Sequence, residues 1–341
     1  MSRLTVILEE AIRSGIGIEE ADYILRIDGC PEELLKAAWE VRQRNLGEEV
    51  RFYYPLPRFP SISVTGDRCA LNCQHCQGRY LRQMKVAETP EALKRLCMKL
   101  DKSGAVGCLV SGGSNLSGSV PLEGFCNVLR WVKEETGLIV NLHTGLVDKQ
   151  QAEQIASTGT DVASLDFIGR EETIRRVVGL DKSPEDYLES LLLLKEAGVP
   201  SVVPHICTAL DWGAIKGEAN ALSLLKNFNP SLIVILGLRP TKGTPMEAAP
   251  TPKPETLAKM VAVARLMYPK TSIALGCMRP QQGRDKTERL AITAGADRIV
   301  LPSVKTVKLA EEGDFHLIHL DTCCAVPNNL EGKTIRDPVD T

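Results

Sequence analysis

The chain runs to 341 residues, 43% of them hydrophobic, which suffices for one large core or two average domains. Its 41 basic and 43 acidic residues leave a net charge of −2, which excludes the basic face that a nucleic-acid partner requires. No run reaches the ~20 apolar residues of a membrane span, Glu9 and Glu10 interrupt the N-terminal run too early for a secretory signal, and the 11 cysteines point to a reducing, cytoplasmic setting where thiols serve metals or catalysis.

Helical periodicity predicts three opening helices over 4–13, 18–27 and 31–45, an extension spanning residues 1–50. Residues 51–60, aromatic and then proline-rich, read as a linker or an ordered crossing loop. Short apolar runs then follow at 61–64, 107–110, 138–142, 162–165, 201–207, 232–238, 272–275 and 298–301. Between them lie segments of helical spacing at 90–102, 122–135, 149–158, 184–198, 219–228, 256–268 and 286–294. This alternation predicts βαβ units and a parallel sheet, and eight units make a (β/α)8 TIM-type barrel over residues 51–303; a six-stranded partial barrel with two added units gives nearly the same pattern. Residues 304–341 form a C-terminal tail in which 315–320 alternates weakly and suggests the edge strand of a hairpin. Barrel active sites collect at the C-terminal ends of strands, so chemistry is expected just after each apolar run.

Cys69, Cys73 and Cys76 follow the first of those runs, in Cys-Ala-Leu-Asn-Cys-Gln-His-Cys. Three thiolates hold a four-iron cluster while leaving one iron without a protein ligand, and an open position separates a reactive metal site from a structural one. A structural zinc needs a closed tetrahedron, and His75, the histidine inside the loop, would have to fold back between two ligands.

Other residues stand at strand ends. Ser111, Gly112 and Gly113 follow the second run, where a backbone without Cβ admits a close ligand, although a plain strand-to-helix turn also uses Gly-Gly. Asp166 ends the fourth run, suited to a hydroxyl partner or to a helix N-cap. His143 and His205 end the third and fifth runs and would face the barrel mouth as ligand contacts or acid–base groups, or be hydrogen-bonded core histidines. Arg239 and Arg279 suit a carboxylate through bidentate pairing. His316 and His319 read as surface histidines, and Cys97 and Cys126, inside helices, as small core fillers. Cys277 at a strand end and the vicinal Cys323 and Cys324 in the tail invite a metal reading, with Cys30 and Cys207 as further ligand candidates.

The Cys-x3-Cys-x2-Cys loop, with His75 in the place of the ring that usually precedes the last cysteine, resembles the radical S-adenosylmethionine (SAM) superfamily, and specifically its biotin synthase-like branch, over residues 37–303. The resemblance implies a [4Fe-4S] cluster on Cys69, Cys73 and Cys76 whose open iron is chelated by SAM; electron transfer then splits the sulfonium to methionine and a 5′-deoxyadenosyl radical that abstracts hydrogen from an unactivated C–H bond. It assigns SAM contacts to His75, Ser111, Gly112, Gly113 and Asp166, the last to the ribose, while His143 is a candidate SAM contact by its place at a strand end. Gly243 and Thr244 match a Gly-Thr-Pro loop of the branch, and Arg279 lies where biotin synthase places an arginine ligand to its second cluster. Cys108 matches the first of the three further cysteines of that second cluster; the other two have no match, so a biotin synthase-type two-iron cluster is not expected.

Within the branch, the residues Gln77 to Tyr80, Val120 to Leu122, Gly276 to Pro280 and Cys323-Cys324 most resemble the second component of the two-protein lipoyl synthases known mainly from archaea. That resemblance implies sulfur insertion into an octanoyl chain on a carrier-protein lysine, with a candidate auxiliary iron–sulfur cluster on Cys277, Cys323 and Cys324 as the sulfur source. It also implies a companion radical SAM protein and an electron donor such as ferredoxin or flavodoxin. Two other readings are a maturase or mutase that acts on a small molecule without sulfur insertion, and a zinc-bound scaffold without enzymatic activity.

Overall fold

The computed structural model describes residues 2–313 and 315–336, so residues 337–341 of the expected tail lie outside the described residues. Eleven strands form one sheet: β1 (Glu49–Tyr53), β2 (Ser61–Ser63), β3 (Lys85–Val86), β4 (Gly107–Ser111), β5 (Ile139–His143), β6 (Val162–Asp166), β7 (Ser201–Thr208), β8 (Leu232–Gly237), β9 (Ser272–Leu275), β10 (Arg298–Val300) and β11 (His316–Leu320). The order β11-β1-β10-β9-β8-β7-β6-β5-β4-β2-β3 is parallel at every pairing, a curled TIM-like barrel. The eight strands expected from the apolar runs are β2 and β4 to β10. Among the described residues the two edge strands, β11 and β3, do not pair with each other.

The sequence expectation for residues 51–60 needs correcting. Their first part belongs to β1, which starts at Glu49 and pairs with β10 and β11. Proline density masks the strand, yet Val50, Phe52 and Tyr53 are fully buried, as β-forming aromatic and branched residues in a sheet are. The tail strand is an edge strand, as expected, but it lies parallel to β1; among the described residues an isolated antiparallel bridge joins Leu320 to Ile335.

Local chemistry sets the helix ends. Ser2 caps Arg3–Ser14, Thr89 caps Pro90–Lys102, and Asp148 with Gln151 forms a capping box at Lys149–Ala156, each supplying an oxygen to an otherwise unpaired N–H. The second and third opening helices pack onto Pro254–Met267, whose residues from Leu257 to Met267 are all buried, and the first packs onto the third. A helix covered on every side reads as apolar all round, which is why this one has little amphipathic pattern. Lys259 on it donates to the carbonyl of Leu25 at 3.1 Å, so the extension shares the barrel's core.

Side chains alternate across each strand. On β5 to β8, Asn141, His143, Val162, Ser164, Asp166, Val203, His205, Cys207 and Val234 share the register facing the barrel lumen. The tail fills the lumen floor: Leu320, Cys324 and Ala325 pack with Tyr53, Val162, Val203, Val234, Ala274 and Val300. No helix among the described residues is long and apolar enough to cross a membrane.

Candidate functional site

The cysteine loop begins where β2 ends. Ser63 donates from Oγ to the carbonyl of Gly66 at 2.6 Å, turning the chain, and Thr65 Oγ1 both donates to the carbonyl of Arg68 at 2.9 Å and accepts from Gly113 N at 2.7 Å. Within the loop, the amides of Cys76 and Gln77 both donate to the Cys73 carbonyl, at 3.2 and 3.0 Å, a turn that brings Cys73 and Cys76 together. Gln77 (φ 47°) and Gly78 (φ 70°) are both left-handed and redirect the chain into the 3₁₀ turn Arg79–Gln83.

Gly113 shows why the motif after β4 is glycine. A Cβ there would stand 2.1 Å from the Arg68 carbonyl oxygen and 2.5 Å from the Cys69 Cα. Gly113→Ala therefore pushes the Cys69 strap away. We expect metal incorporation after reconstitution to fall severalfold, with a destabilisation of about 1–3 kcal/mol from the forced backbone shift; iron analysis beside thermal unfolding checks both.

Cys73, His75 and Cys76 bring their ligand atoms within 4.8 Å of one another, while Cys69 stands outside that group with its sulfur 3.9 Å from the Ser114 carbonyl. The Cys73 thiol donates to Cys76, which holds Cys76 down to about 4 against the burial that opposes it, and drives Cys73 up. Burial alone would lower His75, yet the neighbouring Cys76 sulfur outweighs it and raises the imidazole. His75 Nδ1 is buried without a hydrogen-bond partner, a donor or acceptor left for a ligand. Cys69, apart from the Cys73 and Cys76 pair on the same loop, supplies the third thiolate that a four-iron cluster with one open iron needs. When bound, the cluster and SAM supply a carbon radical able to take hydrogen from an unactivated C–H bond.

Gly243 and Thr244 lie against this loop. The Gly243 carbonyl accepts from Arg79 at 2.7 Å, Met246 N donates to the Gln74 carbonyl at 3.3 Å, and the hydroxyls of Tyr80 and Thr241 are 2.9 Å apart. Thr244 is buried and donates to the Thr241 carbonyl at 2.7 Å. The Gly-Thr-Pro segment thus braces the cysteine loop from the β8 side.

His143 and Asp166 meet at the ends of β5 and β6, with Nε2 and Oδ1 3.8 Å apart. The Asp166 charge also bears on His75, His205 and Cys207, so the carboxylate stands between the cysteine loop and the lumen. Ser111 turns to its own sheet, donating to the His143 carbonyl at 3.0 Å. The Gly112 Cβ position is 3.0 Å from Thr65, a second close approach beneath the loop. His205 lies edge-on to His143, ring centres 5.7 Å apart, with Nδ1 3.1 Å from the Val203 carbonyl.

Burial, and then the His143 charge, press His205 down to about 4 from 6.5. The folded protein therefore keeps this imidazole neutral while the unfolded chain protonates it: the stabilisation is complete above pH 6.5 and lost as pH falls to about 4. Thermal unfolding should show up to about 3 kcal/mol lost across that window. A His205→Gln variant, which cannot titrate there, should flatten the profile.

Other expected residues fall elsewhere. The Arg279 guanidinium is spent inside the barrel wall, donating to the carbonyls of Gly276 and Val300 at 2.6 and 2.8 Å and to Glu288 at 2.6 Å. Cys108 lies on the helix-facing side of β4, its thiol in contact with Cys97, because lumen-facing positions of β4 are odd-numbered. Arg239 and Cys277 are exposed, His316 is exposed, and His319 stacks on Tyr54 at 5.8 Å. The Cys323 sulfur accepts from Asn141 Nδ2 at 3.8 Å, and Asn141 Oδ1 in turn accepts from Ser164 at 2.9 Å. Cys324 donates to Cys323, which holds Cys323 down to about 7 and pushes Cys324 up. Cys277 is near enough for its charge to raise Cys324 and for that of Cys323 to raise Cys277. Asn141, Thr65 and Arg298 were not singled out from sequence, and Arg79 and Tyr80 only as part of the Gln77 to Tyr80 motif; a polar residue in an apolar strand run, as Asn141 and Arg298 are, is the signal that marks two of them.

Residues 63–210 match the Radical SAM superfamily and residues 235–316 the Biotin and Thiamin Synthesis associated domain. A biotin synthase of Prochlorococcus marinus is 25% identical over 298 residues, spanning 85% of this chain and 86% of that protein. In fold the chain is similar to methylornithine synthase (TM-score 0.64, 20% identity, 91% of this chain and 88% of that one). It is also similar to HydG, a maturase of the [FeFe]-hydrogenase (TM-score 0.67, 19% identity, 97% and 73%). With the three-cysteine loop at the C-terminal end of β2, the chain carries a radical SAM domain followed by a Biotin and Thiamin Synthesis associated domain and is similar to biotin synthases at low identity; it is a radical SAM enzyme, using a [4Fe-4S] cluster and SAM.

Proposed function

We propose that this enzyme replaces an unactivated C–H bond with C–S, and that its substrate is an octanoyl chain carried on a protein lysine, as in lipoyl synthesis. The observation that carries this reading is the tail: it threads Cys323 and Cys324 into the barrel lumen, where Cys277 at the end of β9 is close enough to feel their charge. Two thiols inside the barrel with an exposed third nearby, away from the cysteine loop, suit an auxiliary iron–sulfur cluster that serves as the sulfur source. Asp166 and His143 line the mouth between that floor and the cysteine loop, positioned to hold SAM by its ribose and to direct the reacting chain downward. The partners on this reading are the octanoylated carrier protein, a companion radical SAM protein for the second insertion, and ferredoxin or flavodoxin as electron donor. The test is anaerobic incubation with SAM, reductant and an octanoylated carrier peptide, followed by mass analysis: added sulfur supports the reading, and deoxyadenosine without sulfur sinks it.

A second reading draws on the lumen wall. Ser111, Asn141, His143, Ser164, Asp166 and His205 make it polar, which favours a small polar molecule rearranged or fragmented without sulfur transfer. About four irons per chain rather than about eight would favour that reading. A zinc scaffold draws on the compact Cys73, His75 and Cys76 group, and fails once the reconstituted protein cleaves SAM.

A further inference from the structure

Arg298 lies on β10 with its side chain turned to the lumen floor and only 2% exposed. A guanidinium buried this far costs too much free energy to stand alone, so its partners show what it is for. They are all in or beside the tail. Nη1 donates to the carbonyls of Cys324 and Val326, at 2.7 and 2.8 Å, gripping the backbone on both sides of Ala325. Nη2 donates to Asn328 Oδ1, and Glu331 lies 3.3 Å from Nη1. Glu331 also takes Arg51 at 3.0 Å and the Tyr53 hydroxyl, and Arg298 stands over the Tyr53 ring at 5.4 Å. Arg298 therefore fastens the tail to the sheet directly, with Glu331 tying in β1. Its Nε is left buried without a partner, and its charge bears on both Cys323 and Cys324.

We infer that Arg298 is the positioning residue of the tail dithiol: it fixes the backbone that presents Cys323 and Cys324 to the lumen. This rests, for its role in sulfur chemistry, on the reading that these thiols hold an auxiliary cluster. The arginine that sequence placed at such a site, Arg279, is committed to Glu288 and the carbonyls of the barrel wall; the geometry points to Arg298 instead. Arginine is required because a planar fork reaches two carbonyls, an amide and a carboxylate at once, where a lysine ammonium serves one direction.

The test uses the full-length protein with the variants Arg298→Ala, Arg298→Lys and Asn328→Ala, before and after reconstitution. Alkylation of each cysteine is followed by mass spectrometry in the metal-free chain. Cys323 and Cys324 should react about tenfold or more faster in Arg298→Ala and by an intermediate factor in Arg298→Lys, while Cys108, buried against Cys97, is unchanged. Asn328→Ala removes one partner at the edge of the network, so it keeps the test open if Arg298→Ala does not fold, and it should show the same effect to a smaller degree. After reconstitution, Arg298→Ala should hold about four irons instead of about eight and keep its SAM cleavage. Tail cysteines as protected in all three variants as in the wild type would overturn the inference. Tail cysteines released as expected, in a wild type that holds only about four irons, would uphold Arg298 as the clamp and sink the auxiliary-cluster reading.

Discussion

Replacing Cys76 by alanine should abolish SAM cleavage while leaving the fold intact. The sulfur is one of three that the loop offers, and its removal leaves Cys69 and Cys73, too few to hold a four-iron cluster with a single open position. Loss of a contact that merely supports a metal ligand costs roughly 10–100-fold in affinity or activity; loss of a ligand itself should exceed that, so deoxyadenosine formation should fall below detection and iron content should drop. The backbone of the turn does not depend on the thiol, because the Cys76 amide donates to the Cys73 carbonyl at 3.2 Å and its carbonyl accepts from Arg79 at 2.9 Å. Thermal unfolding of the metal-free variant should therefore stay within about 0.5 kcal/mol of wild type. A Cys76→Ala protein that still cleaves SAM would remove the cysteine loop from the chemistry.

The second large effect should come from the other end of the lumen. On the proposed sulfur-insertion reading, Cys323→Ala/Cys324→Ala should abolish sulfur addition to an octanoylated peptide while deoxyadenosine still forms, because the two groups of cysteines lie on opposite elements and are held by different contacts. Iron should fall from about eight to about four per chain. Cys324 is 4% exposed and packs among Tyr53, Val203 and Val300, so the truncation also costs core packing, about 1–2 kcal/mol. Separate measurement of deoxyadenosine and of sulfur distinguishes that loss from the functional one. Sulfur addition that survives the double substitution would show that the tail thiols are not its source.

Much of this architecture is legible in the chain because it is local. Eight apolar runs separated by helical spacing reappear as β2 and β4 to β10, since period-2 and period-3.6 patterns are set by neighbours in sequence. The three-cysteine loop is legible for the same reason: all its ligands fall within eight residues of chain. β1 was hidden because its burial comes from β10 and β11, remote in sequence, while the adjacent prolines read as a break. The side that Cys108 faces was not legible, because a motif match fixes a strand but not its parity, and one residue decides whether a side chain meets the lumen or a helix.

The sequence by itself determined the barrel, the cysteine loop after its first expected strand, and hence the class of chemistry, because each is a pattern of residues close together along the chain. Only the tertiary structure decided which strand ends converge on that loop, that Gly113 gives Cys69 its room, that Arg279 is spent on Glu288, and that Arg298 seizes the tail and carries Cys323 and Cys324 into the lumen. Those are choices among partners far apart in sequence, made by burial: a guanidinium, a carboxylate or a thiol removed from water must find its complement wherever the fold has put it.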